Sequence, residues 1–347
     1  MTKVAEQPVI DFHTFPSVGE EDWQYAFQAA QVRSLETQML SRATLLDMAN
    51  SGSFEQAADL LSGSEYALPQ GGGNFAEVKD FLLERRTAVR QLFADLMLDE
   101  RVVELFKART DFANMRLAVR RTLTEKPLGT DYSGDGNIPP ELFEQIFGEE
   151  SKFDRSLVPD YVYQAAEQAI LSYYQNKDIR QVDYIIDSAQ AQHNLKQAYS
   201  LKSVFLLNLF RIQIDLTNIR TMLRLKFTES EQKNVFLQGG YIESEKFRHV
   251  HEQGYETLGS LFFATPYNRI IETGANYVAS EKSFLRIEQQ CEEYLTGFLK
   301  STVQITAGPQ PVIAYLLMKE NEIRTVRLIL TAKKNHLDTK LILDRIS

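Results

Sequence analysis

The sequence predicts an all-α protein built from three homologous helical units. Three observations predict it: Gly and Pro are scarce, apolar residues recur at helical spacing, and one pattern returns every 104 residues. The chain has 347 residues with 17 Gly and 10 Pro, where average usage of about 12% would place roughly 42 of the two together. That deficit disfavours a turn-dense β-sandwich or barrel and favours long helices. Hydrophobic residues make up 44% of the chain, enough for a core and too many for wholesale disorder. Length alone suggests two domains and equally allows three small ones.

Charge and cysteine usage narrow the classes further. Lys and Arg number 38 against 47 Asp and Glu, a net charge of −9. A general nucleic-acid binder needs a basic surface to displace counterions, so no nucleic-acid partner is expected. The one cysteine, Cys291, excludes an internal disulfide and a Cys-based zinc site, and fits a reducing compartment. The first fifteen residues carry Glu6, Asp11 and His13 and lack the apolar stretch of a signal peptide. The longest apolar runs, 204–210 and 311–318, are far shorter than the roughly 20 residues of a membrane span. The expectation is a cytoplasmic chain that does not enter the bilayer.

Along the chain, the enzyme motifs are missing. No GxxxxGK[ST], GxGxxG or GxSxG occurs, so no phosphate loop or nucleophile elbow is expected. Gly71-Gly72-Gly73 reads as a surface turn, because no strand precedes it. The stretch from Asp131 to Ile138 resembles the start of a calcium loop, but its twelfth position is Leu142 where a bidentate Glu belongs. It is read as a flexible linker. Asp183 and Asp187 share one face of a helix; a pair of carboxylates there could hold a metal or move protons, and the plainer reading is a solvated acidic face. His249 and His251 point to opposite sides of a helix and are read as surface histidines. No catalytic, cofactor or metal residue is assigned.

The clearest element is a helix over 204–227. Phe205, Leu209, Ile212, Leu216, Ile219 and Leu223 are spaced alternately by four and three, which draws one continuous apolar stripe. The same layout occurs 104 residues earlier, where Leu105, Ala108, Phe112, Met115 and Val119 stand for Leu209, Ile212, Leu216, Ile219 and Leu223. Polar residues follow the same step: Asp111, Asn114, Arg116 and Arg120 return as Asp215, Asn218, Arg220 and Arg224. A further step lands on Lys319, Glu322 and Arg324, a looser copy in which the second arginine comes one place early, at Arg327. Gly136, Ile138, Glu141 and Phe143 recur as Gly240, Ile242, Glu245 and Phe247, and Tyr163 as Tyr267. Helical patterning by itself sets no phase over 104 residues. Three units are therefore expected, at 1–126 with an N-terminal extension, 127–230 and 231–347, with linkers near 127–140 and 230–240. The period exceeds that of ordinary solenoid repeats, so each unit is a small domain. Asp111, Asn114, Arg116, Asp215, Asn218, Arg220, Glu322 and Arg324 form the repeat signature. Short polar side chains beside an apolar stripe are expected to bond to an adjoining element. The arginines could instead line a face that grips a partner.

Three passages carry a family resemblance. The first has Trp23-Gln24-Tyr25-Ala26, Val32-Arg33, Leu35-Glu36, Leu60-Leu61 and Tyr66; the second is 215–220; the third runs from Gly308-Pro309-Gln310-Pro311 through Tyr315 to Lys319-Glu320-Asn321-Glu322-Ile323-Arg324 and Val326-Arg327. Together they resemble the C subunits of the archaeal and bacterial V-type (A-type) ATPases, counterparts of the d subunit in eukaryotic V-ATPases. The resemblance implies a funnel of three helical domains about a pseudo-threefold axis, placed between the central shaft and the membrane rotor ring. It implies a non-catalytic coupling piece of an ATP-linked proton or sodium transporter, peripheral on the cytoplasmic face of the membrane and without a cofactor. Two other readings share the composition: a helical scaffold with another partner, and a metal-dependent helical enzyme using Asp183, Asp187 or the Asp131 loop.

Overall fold

Short polar side chains start many of the helices. The carboxylate or hydroxyl of Asp22, Ser41, Ser53, Asp99 and Asp178 each accepts a backbone N–H from the first turn that follows it, which satisfies donors that a helix leaves unpaired. The computed structural model describes residues 15–67, 75–124, 131–147, 157–230, 235–250 and 253–346. Gly71–Gly73, His251 and the first fourteen residues lie outside them.

The helices in chain order are α1 (Ala26–Glu36), α2 (Arg42–Asn50), α3 (Phe54–Asp59), α4 (Phe75–Leu96), α5 (Glu100–Leu123), α6 (Pro140–Phe147), α7 (Asp160–Asn176), α8 (Ile179–Ser200), α9 (Val204–Phe227), α10 (Ser244–Val250), α11 (Leu258–Leu261), α12 (Asn268–Glu281), α13 (Leu285–Lys300), α14 (Pro309–Lys334) and α15 (Thr339–Ile346). Short 3-10 turns occupy Trp23–Tyr25, Tyr255–Thr257 and Ser301–Gln304, and no strand occurs among the described residues. The fold is all-α, as the composition predicts. α9 spans the range that the apolar stripe predicts, and α5 begins and ends 104 residues before it. No described helix is long and apolar enough to cross a membrane.

The chain divides into two bodies. One comprises Asp99–Thr221 and Ser230–Arg248. In it α5 packs on α6, α7 and α8. Phe112, Met115 and Val119 of α5 meet Phe143 and Ile146 of α6, and Val182 and Ile186 of α8, in one buried cluster. Ala165, Ala166 and Ala169 make up much of the contact side of α7; their small side chains let the helix axes approach closely. α7 ends at Lys177 in the left-handed conformation, where its N–H bonds back to the Tyr173 carbonyl.

The other body comprises Met1–Leu98, Met222–Glu229 and His249–Ser347. Its axis is α14, packed on α1, α2, α3, α4, α13 and α15. Because neighbours surround it, α14 buries residues almost all round, from Val312–Leu316 to Val326, Ile329 and Leu330. Pro309 at its first turn, after Gly308, starts it cleanly. Lys319, Glu322 and Lys333 are also buried on it, which calls for polar or charged partners; Lys333 donates to the Ser51 carbonyl at 2.7 Å.

Candidate functional site

A polar clamp joins a long helix to the loop after it. On α5, Asn114 is buried beside the apolar stripe. Its amide NH2 donates to the Ser133 carbonyl at 2.9 Å and its Oδ1 accepts the Ser133 N–H at 3.0 Å. One turn earlier, fully buried Asp111 accepts the N–H groups of Asn137 and Ile138 at 2.9 and 3.1 Å. Its other oxygen accepts the Tyr161 hydroxyl at 2.7 Å. Burial, reinforced by the Asp111 charge, pushes the Tyr161 hydroxyl pKa well above its ordinary value.

The bonds from Asn114 and from the two loop N–H groups recur at the 104-residue step. Asn218 donates to the Leu237 carbonyl and accepts the Leu237 N–H, each at 2.8 Å. Asp215 accepts the N–H groups of Tyr241 and Ile242 at 3.0 and 3.1 Å. Tyr132 stacks on Phe143 at 5.7 Å, and Phe236 stacks on Phe247 at 5.6 Å. The recurring glycines also have a reason. A Cβ on Gly136 would overlap Asp111 Oδ1, and a Cβ on Gly240 would overlap Asp215 Oδ1. The loop can therefore reach the carboxylate only where a side chain is missing. The stretch from Asp131 to Ile138, read from the sequence as flexible, is consequently a held loop, and residues 235–240 are held in the same manner. Tyr132, Ile138, Val235, Phe236 and Leu237 are buried there, and the loop backbone is held by Asp and Asn from below.

The Asp131 loop has its own partners too. The Asp131 carboxylate accepts both bonds from Arg121 Nη2, each at 2.7 Å, and that hydrogen bonding holds its pKa below the ordinary range.

At the third register the residue types change. Glu322 stands where Asn114 and Asn218 stand, and its Oε2 accepts the Leu40 N–H at 2.6 Å. Its Oε1 accepts the Tyr66 hydroxyl at 2.7 Å. Lys319, at the register of Asp111 and Asp215, is ion-paired with Glu65 and Glu322 and lies over the Tyr66 ring, 5.0 Å from its centre. Only residues 335–338 separate α14 from α15, too short a span for the kind of loop seen after α5 and α9. The N-terminal segment supplies the partners instead. Burial and the Glu322 charge push the Tyr66 hydroxyl pKa far upward.

The arginines of the signature are engaged. Arg116 pairs with Asp187, and its Nε lies 3.9 Å from Asp183. Arg120 donates to Asp183 at 2.6 Å. The solvated acidic face expected at Asp183 and Asp187 is thus one half of an ion-pair network, set on α8 where α5 packs. Burial raises the Asp187 pKa and Arg116 opposes that rise. Arg224, one step beyond Arg120, donates to Glu288 at 2.6 Å. Arg324 donates to Asn321 and pairs with Glu292 at 2.9 Å. His249 lies on α10, and Cys291 is buried. Sequence reasoning found the Asp, Asn and Gly members of the clamp. It missed the Ser133 and Leu237 backbone groups, the 132–236 aromatic pair and Glu65. The aromatic pair carried a signal, because it obeys the same offset.

Residues 29–345 match the profile of a family described as ATP synthase (C/AC39) subunit. The chain belongs to that family. The C subunit of the V-type sodium ATPase of Enterococcus hirae is 21% identical over 320 residues, which cover 91% of this chain and 95% of that protein. The C subunit of the V-type ATP synthase of Thermus thermophilus is 24% identical over 316 residues, 89% of this chain and 94% of that protein. The C subunit of the A-type ATP synthase of Methanocaldococcus jannaschii is 21% identical over 347 residues, 90% of this chain and 84% of that protein. This C/AC39 protein is a component of a V/A-type ATPase complex, and its family is a non-catalytic stalk subunit.

Proposed function

We propose that this chain is the adaptor that joins the central shaft of a rotary V/A-type ATPase to its membrane rotor ring, on the cytoplasmic face of the membrane. Its shaft and ring partners are part of that reading. The observation that carries it, beside family membership, is the repeated clamp. Torque transmission needs bodies that do not yield between helices. Buried Asp and Asn bonds that tie loop to helix in the same way at two registers supply such stiffness. The three-unit division at 1–126, 127–230 and 231–347, about a pseudo-threefold axis, belongs to the same proposal.

The test is a complex assembled without this chain. The catalytic head should still hydrolyse ATP, and ATP-driven ion transport into vesicles should vanish and return when the chain is added back. Full ion transport in its absence would refute the role. A map of the assembled complex should show three superposable helical bundles around the shaft.

The signature residues are proposed to act through the fold. Asp111, Asn114, Asp215, Asn218 and Glu322 hold loop or N-terminal segment to helix. Arg116 and Arg324 are held by acidic neighbours. Arg220 is the residue to probe for a partner-facing role: Arg220→Ala would then impair assembly more than it lowers the unfolding midpoint, and normal assembly would remove that role.

A further inference from the structure

A cavity of about 600 Å³ opens in the body built around α14. It is framed by α1, α2, α13 and α14, and it shares Leu40 and Glu322 with the third register. That volume lies within the range of small-ligand sites.

Its floor is apolar and only half covered. Met39, Leu40, Leu45 and Met318 line it, and each is partly exposed to the void. Methionines at such a surface adapt to an aliphatic ligand of varied shape.

The charges on its wall sort by partner. Arg33 and Glu36 neutralise each other through two bonds at 2.8 Å. Glu322 is taken up by Lys319, Tyr66 and the Leu40 N–H. Among the described residues, Arg42 has a loose, exposed partner, Glu293 at 3.6 Å. Lys300, at the end of α13, is an exposed lining residue for which no hydrogen bond or ion pair appears among the described residues. The carboxylates of the wall are thus occupied, whereas two cations at the rim are available.

We propose that this cavity binds a small amphipathic anion, a single phosphate or carboxylate head on an aliphatic chain. The chain lies on Met39, Leu45 and Met318, and the head meets Lys300 and Arg42. Asn321 and Thr325, also on the wall, offer polar atoms beside the head. Such an anion could be free in solution or could be the headgroup end of a membrane lipid, and the experiment separates these sources.

The full chain is titrated calorimetrically with decyl phosphate below its micelle concentration, with decanol as the neutral control. Saturable one-to-one binding of decyl phosphate is expected, at least about tenfold tighter than decanol, because a charge-assisted contact is the difference between them. Lys300→Glu combined with Arg42→Gln should weaken decyl phosphate by about tenfold or more and leave the unfolding midpoint in place, since both side chains are exposed. Met318→Trp should remove binding of both probes by filling the floor; if it unfolds the chain, the charge variant carries the test. In a second arm, vesicles of phosphatidylcholine with and without phosphatidic acid are sedimented with the chain. Co-sedimentation that needs phosphatidic acid and is lost in the charge variant assigns a lipid source, and soluble binding alone assigns a free anion. Absence of saturable decyl phosphate binding overturns the proposal. So does binding that the charge variant leaves unchanged, whichever arm shows it.

Discussion

Replacing Gly240 by alanine tests the clamp most directly. The added Cβ would overlap Asp215 Oδ1, stand 2.9 Å from Asp215 Cγ and 3.1 Å from Ile214 Cγ2. Neither neighbour is the loose end of a flexible side chain, because Asp215 is fully buried and Ile214 nearly so. The carboxylate must move, and the bonds from Tyr241 and Ile242 at 3.0 and 3.1 Å stretch or break. Hydrogen bonds to a charged group are worth about 1.5–3 kcal/mol each. Losing two gives about 3–6 kcal/mol, and partial relaxation of the loop places the expected loss near 3 kcal/mol. At about 2–4 °C per kcal/mol, the midpoint of that body falls by roughly 6–12 °C. Gly134→Ala is the control. Its Cβ would meet only Pro140 Cγ, at 4.0 Å, so stability should hold or rise by up to about 1 kcal/mol. The assay is hydrogen exchange at Tyr241 and Ile242 together with thermal unfolding. In a double-mutant cycle, Gly240→Ala should cost little once Asp215→Ala is present, because the two act on one contact. Unchanged protection of both amides in Gly240→Ala, or simple additivity in the cycle, would refute the reasoning.

Other outcomes follow from the same contacts. Asn218→Leu leaves the buried N–H and carbonyl of Leu237 without their 2.8 Å partners, so it should cost about 2 kcal/mol or more, seen in denaturant unfolding. Lys319→Met strands the buried Glu322 carboxylate and should cost about 3–5 kcal/mol; adding Glu322→Gln should recover part of that loss, and equal stability of Lys319→Met and the parent would contradict the ion pair. His193 sits 4.4 Å from the Tyr161 ring and 5.8 Å from Phe112. Burial, assisted by Lys196, lowers its pKa from 6.5 to about 4. The unfolded chain then binds the proton more readily than the folded one, so stability is full above about pH 6.5 and declines as pH falls toward about 4. Unfolding midpoints measured across that window should slope less in His193→Gln.

Much of the clamp was legible because it is periodic. Asp111 and Asp215, Asn114 and Asn218, and Gly136 and Gly240 stand at one offset, and a shared offset outside the apolar stripe points to a shared contact. The contact partners were less legible, because Ser133 and Leu237 act through backbone groups that any residue type provides. Composition and charge could not reveal that Asp183 and Asp187 are paired with Arg116 and Arg120, since such pairing depends on how α5 packs on α8. The expectation of flexibility failed at 131–138 for a related reason: polar and glycine-rich sequence marks a departure from helix, and it does not say whether the loop is held.

The all-α class, the limits of α9 and the family were determined by the sequence itself, through apolar residues at helical spacing and a motif-bearing final long helix. Hydrophobic periodicity is local, so it survives without knowledge of neighbours. Only the tertiary structure decided what completes the third register. There the partners of Glu322 and Lys319 come from residues 40, 65 and 66, more than 250 positions away along the chain. A Lys in place of Asp111 or Asp215 reads as a broken repeat in one dimension. In three dimensions Lys319 is satisfied by a different means: a carboxylate from the N-terminal segment, Glu65, faces it together with Glu322, because a buried charge must meet its opposite.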